Sequence, residues 1–292
     1  IWGVAGSGGQ FFSGVVFEFD PATNSYFARQ SFELEQGSGM SGGLVLHPNG
    51  RVFGIKSTGG LSGDGTIFEF NRTTNQISKR ADLNLGPDGA RPIGGLAQSS
   101  NGRLYGMTSK GGANGMGVIF SITPEGNDFR KEIDFDGSNG EEPSSGLLRA
   151  SNGKLYGTVS RRGSNSGALI EFDPEKKELK VVSVFDGLWN GANPGGRLIE
   201  ATNGKIYGTT KTGGVGARGV IFEYDPSNNL FKKVHEFGTE PSERPAAGLS
   251  ESPAGKLYGV TSGGGLNNLG TIFEFDPATS QFERLYNFEL DV

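Results

Sequence analysis

Three features of this 292-residue chain predict an all-β fold, a six-bladed β-propeller of four-stranded antiparallel blades. A hydrophobic–aromatic–Gly phrase recurs six times, two-residue periodicity follows each recurrence, and 51 glycines punctuate the segments between. The phrase reads Ile1-Trp2-Gly3, Val52-Phe53-Gly54, Leu104-Tyr105-Gly106, Leu155-Tyr156-Gly157, Ile206-Tyr207-Gly208 and Leu257-Tyr258-Gly259. Its glycines lie 51, 52, 51, 51 and 51 residues apart. A fixed period of this length marks an array of one supersecondary unit. Six such units with no linker between them are expected to form one domain over residues 1–292.

Four segments in each unit carry strand chemistry. The first holds a Leu eight residues before the phrase: Leu44, Leu96, Leu147, Leu198 and Leu249. The phrase itself is the second strand. Asn-Gly pairs stand between the two at Asn49-Gly50, Asn101-Gly102, Asn152-Gly153 and Asn203-Gly204, with Ala254-Gly255 in the fifth case. Asn-Gly suits the positive φ angles of a type I′ turn, so these strands are expected to be antiparallel neighbours.

A Gly-rich loop leads to the third strand, where apolar residues alternate, as in Phe68 and Phe70 or Phe222 and Tyr224. Period two with aromatics is strand chemistry. Asp-Pro closes that strand at Asp20-Pro21, Asp173-Pro174, Asp225-Pro226 and Asp276-Pro277, where Pro presets φ and Asp can bond the turn's backbone. The fourth strand ends near Phe32, Leu83, Phe135, Phe185, Phe237 and Phe288. The Leu-bearing strand occurs only five times, so the first blade is expected to lack its innermost strand. An unpaired inner edge invites strand pairing. The expected remedy near Ile1–Gly6 is either more of the same chain or a strand donated by a partner.

Composition narrows the function classes. Apolar residues other than Gly are 34%, and adding the glycines brings the share to the usual half for a globular chain. Net charge is −5, from 27 basic and 32 acidic residues spread evenly, which speaks against a nucleic-acid partner. No apolar run approaches the roughly 18 residues of a membrane span. With no initiator Met and no signal-peptide pattern, the chain reads as a mature or excised segment. Cys is absent, which removes disulfides, thiolate metal sites and a Cys nucleophile together.

The run Leu257-Tyr258-Gly259-Val260-Thr261-Ser262-Gly263-Gly264-Gly265, then Gly270-Thr271-Ile272-Phe273-Glu274-Phe275, resembles the GloVer-type tandem repeat. Phe135-Asp136-Gly137 with Pro143 and Gly146-Leu147 is similar to that repeat's linking segment. The resemblance extends to all six copies and implies a bacterial exported protein, extracellular or at the cell surface. It implies no activity. A broader similarity to kelch repeats supports the propeller and says almost nothing about function.

Chemistry has to be sought where the copies differ. His47 and His235 are the only histidines, and neither has an evident partner for catalysis or metal binding. Glu141-Glu142, Asp136 and Asp186 are loop acids that could serve a carbohydrate hydrolase or lyase or bind a cation, although solvated loop acids are the blander explanation. Gly-rich loops that lead into strands are turn devices, not phosphate cradles. The fourth copy breaks the pattern. Five copies carry Gly-Gly after the phrase, whereas the fourth has Arg162-Gly163 preceded by Arg161. Trp189 follows in the next link, and Arg197 takes the place of a first-strand glycine. Arg161, Arg162, Trp189 and Arg197 are therefore the candidate ligand-binding residues, suited to an acidic sugar or a surface protein. No catalytic residue, metal site or cofactor is predicted. The expected class is a non-enzymatic binding module, with a carbohydrate-active enzyme and a structural subunit completed by a donated strand as alternatives.

Overall fold

A computed structural model describes residues 1–33, 36–238 and 244–290. Its sheets are the blades of an all-β six-bladed propeller, three in each of two compact units. The first unit comprises Ile1–Asp136 and Pro174–Lys177, and the second comprises Gly137–Asp173 and Glu178–Val292.

In the first unit, sheet one is β1 (Trp2–Ala5), β2 (Val15–Asp20) and β3 (Ser25–Ser31). Sheet two is β4 (Val45–Leu46), β5 (Val52–Lys56), β6 (Thr66–Asn71) and β7 (Gln76–Asp82). Sheet three is β8 (Ala90–Gln98), β9 (Leu104–Lys110), β10 (Val118–Ile122) and β11 (Phe129–Asp134). Strands pair antiparallel in chain order, and sheet one has three strands, as the repeat count requires.

The second unit repeats the plan. Sheet four has β12 (Glu141–Pro143) and β13 (Leu148–Arg149), two pieces of one interrupted inner strand on β14 (Leu155–Arg161), then β15 (Ala168–Asp173) and β16 (Glu178–Val184). Sheet five is β17 (Ala192–Glu200), β18 (Ile206–Thr212), β19 (Val220–Asp225) and β20 (Leu230–Glu236). Sheet six is β21 (Ser250–Glu251), β22 (Leu257–Val260), β23 (Thr271–Asp276) and β24 (Gln281–Asn287).

The aromatic–Gly phrase has a steric cause. Gly106 lies directly across from Phe120, and Gly208 from Phe222. A Cβ on Gly208 would stand 2.4 Å from Phe222 Cζ and 2.7 Å from Leu198 Cδ2. The same overlap with a third-strand Phe occurs at Gly3, Gly54, Gly106 and Gly259. The ring therefore lies over the glycine. A register shift sits beside that ring, between Ile221 and Phe222 for example, and in every blade the third and fourth strands shift at this level.

Sheets pack face to face through these residues. Tyr156, Leu169 and Phe185 of sheet four meet Leu198, Ile206, Phe222 and Tyr224 of sheet five. Tyr207, Ile221 and Phe237 of sheet five meet Leu257, Phe273 and Phe275 of sheet six. In the first unit, Phe53, Ile55 and Ile67 meet Leu104, Val118 and Phe120 in the same way.

The inner hairpins correct one expectation. They do join antiparallel neighbours, but Gly153 and Gly204 adopt positive φ while Asn152 and Asn203 do not. Ala150 N–H donates to Lys154 O and Gly153 N–H to Ala150 O, so the connection is a three-residue loop with a glycine bulge instead of a type I′ turn. The Asn side chain braces that loop instead. Asn152 Oδ1 accepts from Lys154 N–H at 3.0 Å, and its amide donates to Tyr156 Oη at 2.9 Å.

His235 is a packing residue. Its ring stacks on Phe282 at 3.8 Å and meets Phe237 edge-on. Burial pushes its pKa down to about 4, against a smaller upward pull from Glu236. Because the unfolded ring protonates near 6.5, the folded state binds fewer protons between these values. Stability is thus unaffected by this residue above about pH 6.5 and falls as pH drops toward 4. The loss is expected to reach about 2 kcal/mol, allowing for partial exposure. Urea titrations at pH 7 and pH 4.5 should show a smaller difference for His235→Phe than for the natural chain. An equal difference would remove His235 as the cause.

Candidate functional site

Each sheet has two ends. The inner hairpin and the Asp-type outer turn lie at one, the Gly-rich loop and the link to the next sheet at the other. Within the second unit, Asn193 N–H donates to Ser166 O and Ser166 N–H to Phe185 O, so the Gly-rich loop of sheet four adjoins the link that follows.

Acids hold three of the Gly-rich loops in place. Asp82 accepts from Leu61 N–H, Asp134 from Ala113 N–H and Glu236 from Gly216 N–H. Each is neutralised by a lysine three residues earlier, with Lys79–Asp82 and Lys131–Asp134 at 2.7 Å and Lys233–Glu236 at 2.5 Å. Sheet four has Val184 at that place, so its loop lacks the acid. The loop is also tighter. Arg162 and Asn165 exchange backbone hydrogen bonds, and Gly163 alone takes positive φ where Gly213 and Gly214 both do. Arg162 can therefore replace a glycine.

Arg161, Arg162 and Trp189 all lie at this loop end. Arg161 closes β14 and is exposed, Arg162 is half-buried with an unpartnered Nε, and Trp189 is 67% exposed. The Trp189 loop is wound around Asp186, which accepts from the N–H groups of Leu188, Trp189 and Asn190. Asp186 is thereby committed to structure. Glu141 lies in β12, and Glu142 takes a positive φ of 51°.

A groove of about 650 Å³ opens at the same end, lined by Ser144, Ser160, Lys211, Thr212, Arg244 and Ser262 among others. Arg161 immediately follows Ser160. Lys211 and Arg244 are exposed, and no acid pairs with either among the described residues. Hydroxyls are held by neighbours: Ser144 Oγ lies 3.0 Å from Thr158 Oγ1, and Asn193 donates to Thr212 Oγ1 at 2.8 Å. Pro194 and Pro245 supply buried apolar surface. Among the described residues, the lining carries cations, hydroxyls and an amide, and no carboxylate or imidazole. Such a set suits an anionic, hydroxyl-bearing ligand.

Arg197 is placed elsewhere. It lines a second groove of about 590 Å³ with Arg149, Glu200 and Glu251, on the inner strands toward the hairpin end. The two carboxylates there are latches between sheets. Glu200 accepts from Ser151 N–H at 2.7 Å and Oγ at 2.5 Å, and Glu251 accepts from Thr202 N–H at 2.9 Å and Oγ1 at 2.7 Å. Lys211 and Arg244 are legible in the sequence only as surface cations, because nothing local aligns them across two repeats. Among the described residues, no group of three or more His, Asp or Glu side chains is arranged to hold a metal ion.

Repeated antiparallel sheets of this design, with loop-lined grooves at their ends, define a β-propeller protein. The Gloeobacter/Verrucomicrobia repeat profile matches residues 1–202 and 148–292, and the chain belongs to that family. A search of curated proteins finds no sequence match. Among solved structures, the fold is similar to one in the nidogen/laminin complex, at 14% identity and a TM-score of 0.61, over 98% of this chain and 93% of that one. It is also similar to oligogalacturonate lyase in complex with manganese, at 13% identity and a TM-score of 0.64, over 91% and 72% of the two chains. TolB from Acinetobacter baumannii aligns at 14% identity and a TM-score of 0.57, over 98% of this chain and 63% of that one.

Proposed function

We infer that this protein is a non-enzymatic recognition module, acting outside the cell or on its surface, that binds an acidic glycan at the loop end of its second unit. The observation that carries this reading is the hydroxyl-lined groove, where Lys211 and Arg244 have no acidic partner among the described residues, at the same loop end as Arg161 and the exposed Trp189. Cations offset a sugar carboxylate, and the indole offers a face for the pyranose ring. In this unit Asp186 is bonded to backbone N–H groups, and Glu236 to a backbone N–H and to Lys233. The repeat's resemblance to exported bacterial proteins supports the extracellular setting.

Calorimetry with tri-galacturonate and with the neutral tri-galactose tests the reading. Binding of the acidic sugar alone is expected, weakened at least about tenfold in the Lys211→Ala/Arg244→Ala double variant and by added salt. Equal affinity of that variant would exclude the groove. Chain-shortened products in the cell would point to the enzyme alternative.

A further inference from the structure

Sheet one stands apart from the other five in what borders its second strand. β1 is half-buried along its whole length, whereas β5 and the first five residues of β9 are fully buried. Ile1 and Phe19 exchange main-chain hydrogen bonds, at 2.7 and 2.8 Å. Alternation along an antiparallel pair then turns the backbone groups of Gly3 and Ala5 toward β2 and those of Trp2 and Val4 toward the open edge. In the complete sheets the carbonyl at the Val4 position is occupied: Ile55 O accepts from Ser41 N–H, Thr158 O from Ser144 N–H and Val260 O from Ala246 N–H.

A side-chain seat is also open. At Gly54, Gly106, Gly208 and Gly259, an inner-strand leucine methyl lies within 3.2 Å of a Cβ position, beside the Phe ring. At Gly3 the three nearest atoms all belong to Phe17. Next to the strand lies a hollow of about 440 Å³, lined by Trp2, Asn49, Arg51, Asn71, Arg72 and Thr73. Tyr156 and Tyr207, at the Trp2 position, have their hydroxyls bound by their own hairpins, which sheet one lacks.

We propose that β1 is a strand acceptor whose occupant is an extended segment antiparallel to β1, with a Leu opposite Gly3 and a small residue two places before that Leu. The pattern is set by the seats filled elsewhere. Leu44 stands opposite Gly54, one step beyond the Val45–Phe53 pair. A small residue two places before it is required because adjacent inner strands nearly touch: a Cβ on Gly42 would stand 2.4 Å from the Gly94 carbonyl carbon, and one on Gly196 2.7 Å from the Gly248 nitrogen. Backbone bonding supplies affinity and the leucine seat supplies register. The inference does not depend on the glycan reading, since the two surfaces use different residues.

A synthetic peptide with the sequence Ser38–Gly50 is the probe, added to the intact chain, and amide hydrogen exchange is the readout. Exchange at Trp2 and Val4 is expected to slow by at least about tenfold, with Gly3 and Ala5 unchanged because β2 already protects them. The same peptide carrying Leu44→Asp should give no protection. Three results would overturn the proposal: no slowing at Trp2 and Val4, equal slowing by the Asp peptide, or slowing that tracks protein concentration without peptide. The last would mean that a second copy covers the edge.

Discussion

Gly208→Ala is expected to lower the unfolding free energy by about 3 kcal/mol, the upper range for forcing a methyl into a packed core. Gly208 needs space, not an unusual backbone, because its φ is not positive. The added Cβ would overlap Phe222 at 2.4 Å and Leu198 at 2.7 Å. Phe222 cannot withdraw, being stacked on Phe231 at 5.5 Å and packed against Phe185 at 5.2 Å. Gly204→Ala gives the contrast: nothing lies within 4 Å of its Cβ, but its φ is +76°. That backbone strain should cost only about 1 kcal/mol. Sheet four suggests the repair, since Gly157 there faces Ile170 in place of a Phe. Adding Phe222→Ile to Gly208→Ala should therefore return about 1 kcal/mol relative to the sum of the single variants. Urea unfolding of the natural chain, the three single variants and the double variant measures this. A Gly208→Ala loss no larger than that of Gly204→Ala would contradict the steric account.

The architecture can be read from the chain because its determinants repeat in register. Six phrases, alternating aromatics and Asp-Pro turns are local patterns, and the Asp role is seen where Asp225 accepts from Ser227 N–H at 2.9 Å and Asp276 from Ala278 N–H at 2.8 Å. The missing strand is countable for the same reason. Turn type is not, because Asn-Gly permits two hairpin geometries, and the choice depends on whether Asn supplies φ or a side-chain bond. Asn152 supplies the bond, to a tyrosine whose importance is visible only across the sheet. The candidate site is half legible. Arg161, Arg162 and Trp189 stand out as departures from the repeat, and they share one end. Arg197 departs equally, yet its position on an inner strand places it in another groove. Departure from a repeat identifies residues released from scaffold duty, whereas which of them meet depends on strand direction and on neighbouring sheets.

Glu223→Ala is expected to destabilise the chain by about 3 kcal/mol, through an orphaned buried hydroxyl and a cavity. Glu223 is 6% exposed and lies directly across from Tyr207. The Tyr207 hydroxyl donates to Oε2 at 2.7 Å and accepts from Asn203 at 2.9 Å, while Lys205 Nζ reaches Oε1 at 2.6 Å. Burial, reinforced by that carboxylate, holds the Tyr207 phenol well above its ordinary range. Tyr156 with Glu171 and Tyr258 with Glu274 repeat the arrangement, so it belongs to the scaffold rather than to one ligand site. The other sheets show how the acid is satisfied when a member changes. Phe53 cannot donate, and Glu69 turns to Arg80 and Arg51. Ser121 replaces the acid in sheet three, and Glu132 reaches it from the outer strand at 2.5 Å. Because Lys205 is partly exposed, its ion pair contributes less than the buried hydroxyl bond. Lys205→Met should accordingly cost under about 1 kcal/mol. Glu223→Leu combined with Tyr207→Phe removes donor and acceptor together, and should recover at least about 1 kcal/mol relative to the sum of the single losses. Additive losses in chemical denaturation would show that the hydroxyl and the carboxylate are not coupled, and the repeated Tyr–Glu pair would then have to be explained by packing alone.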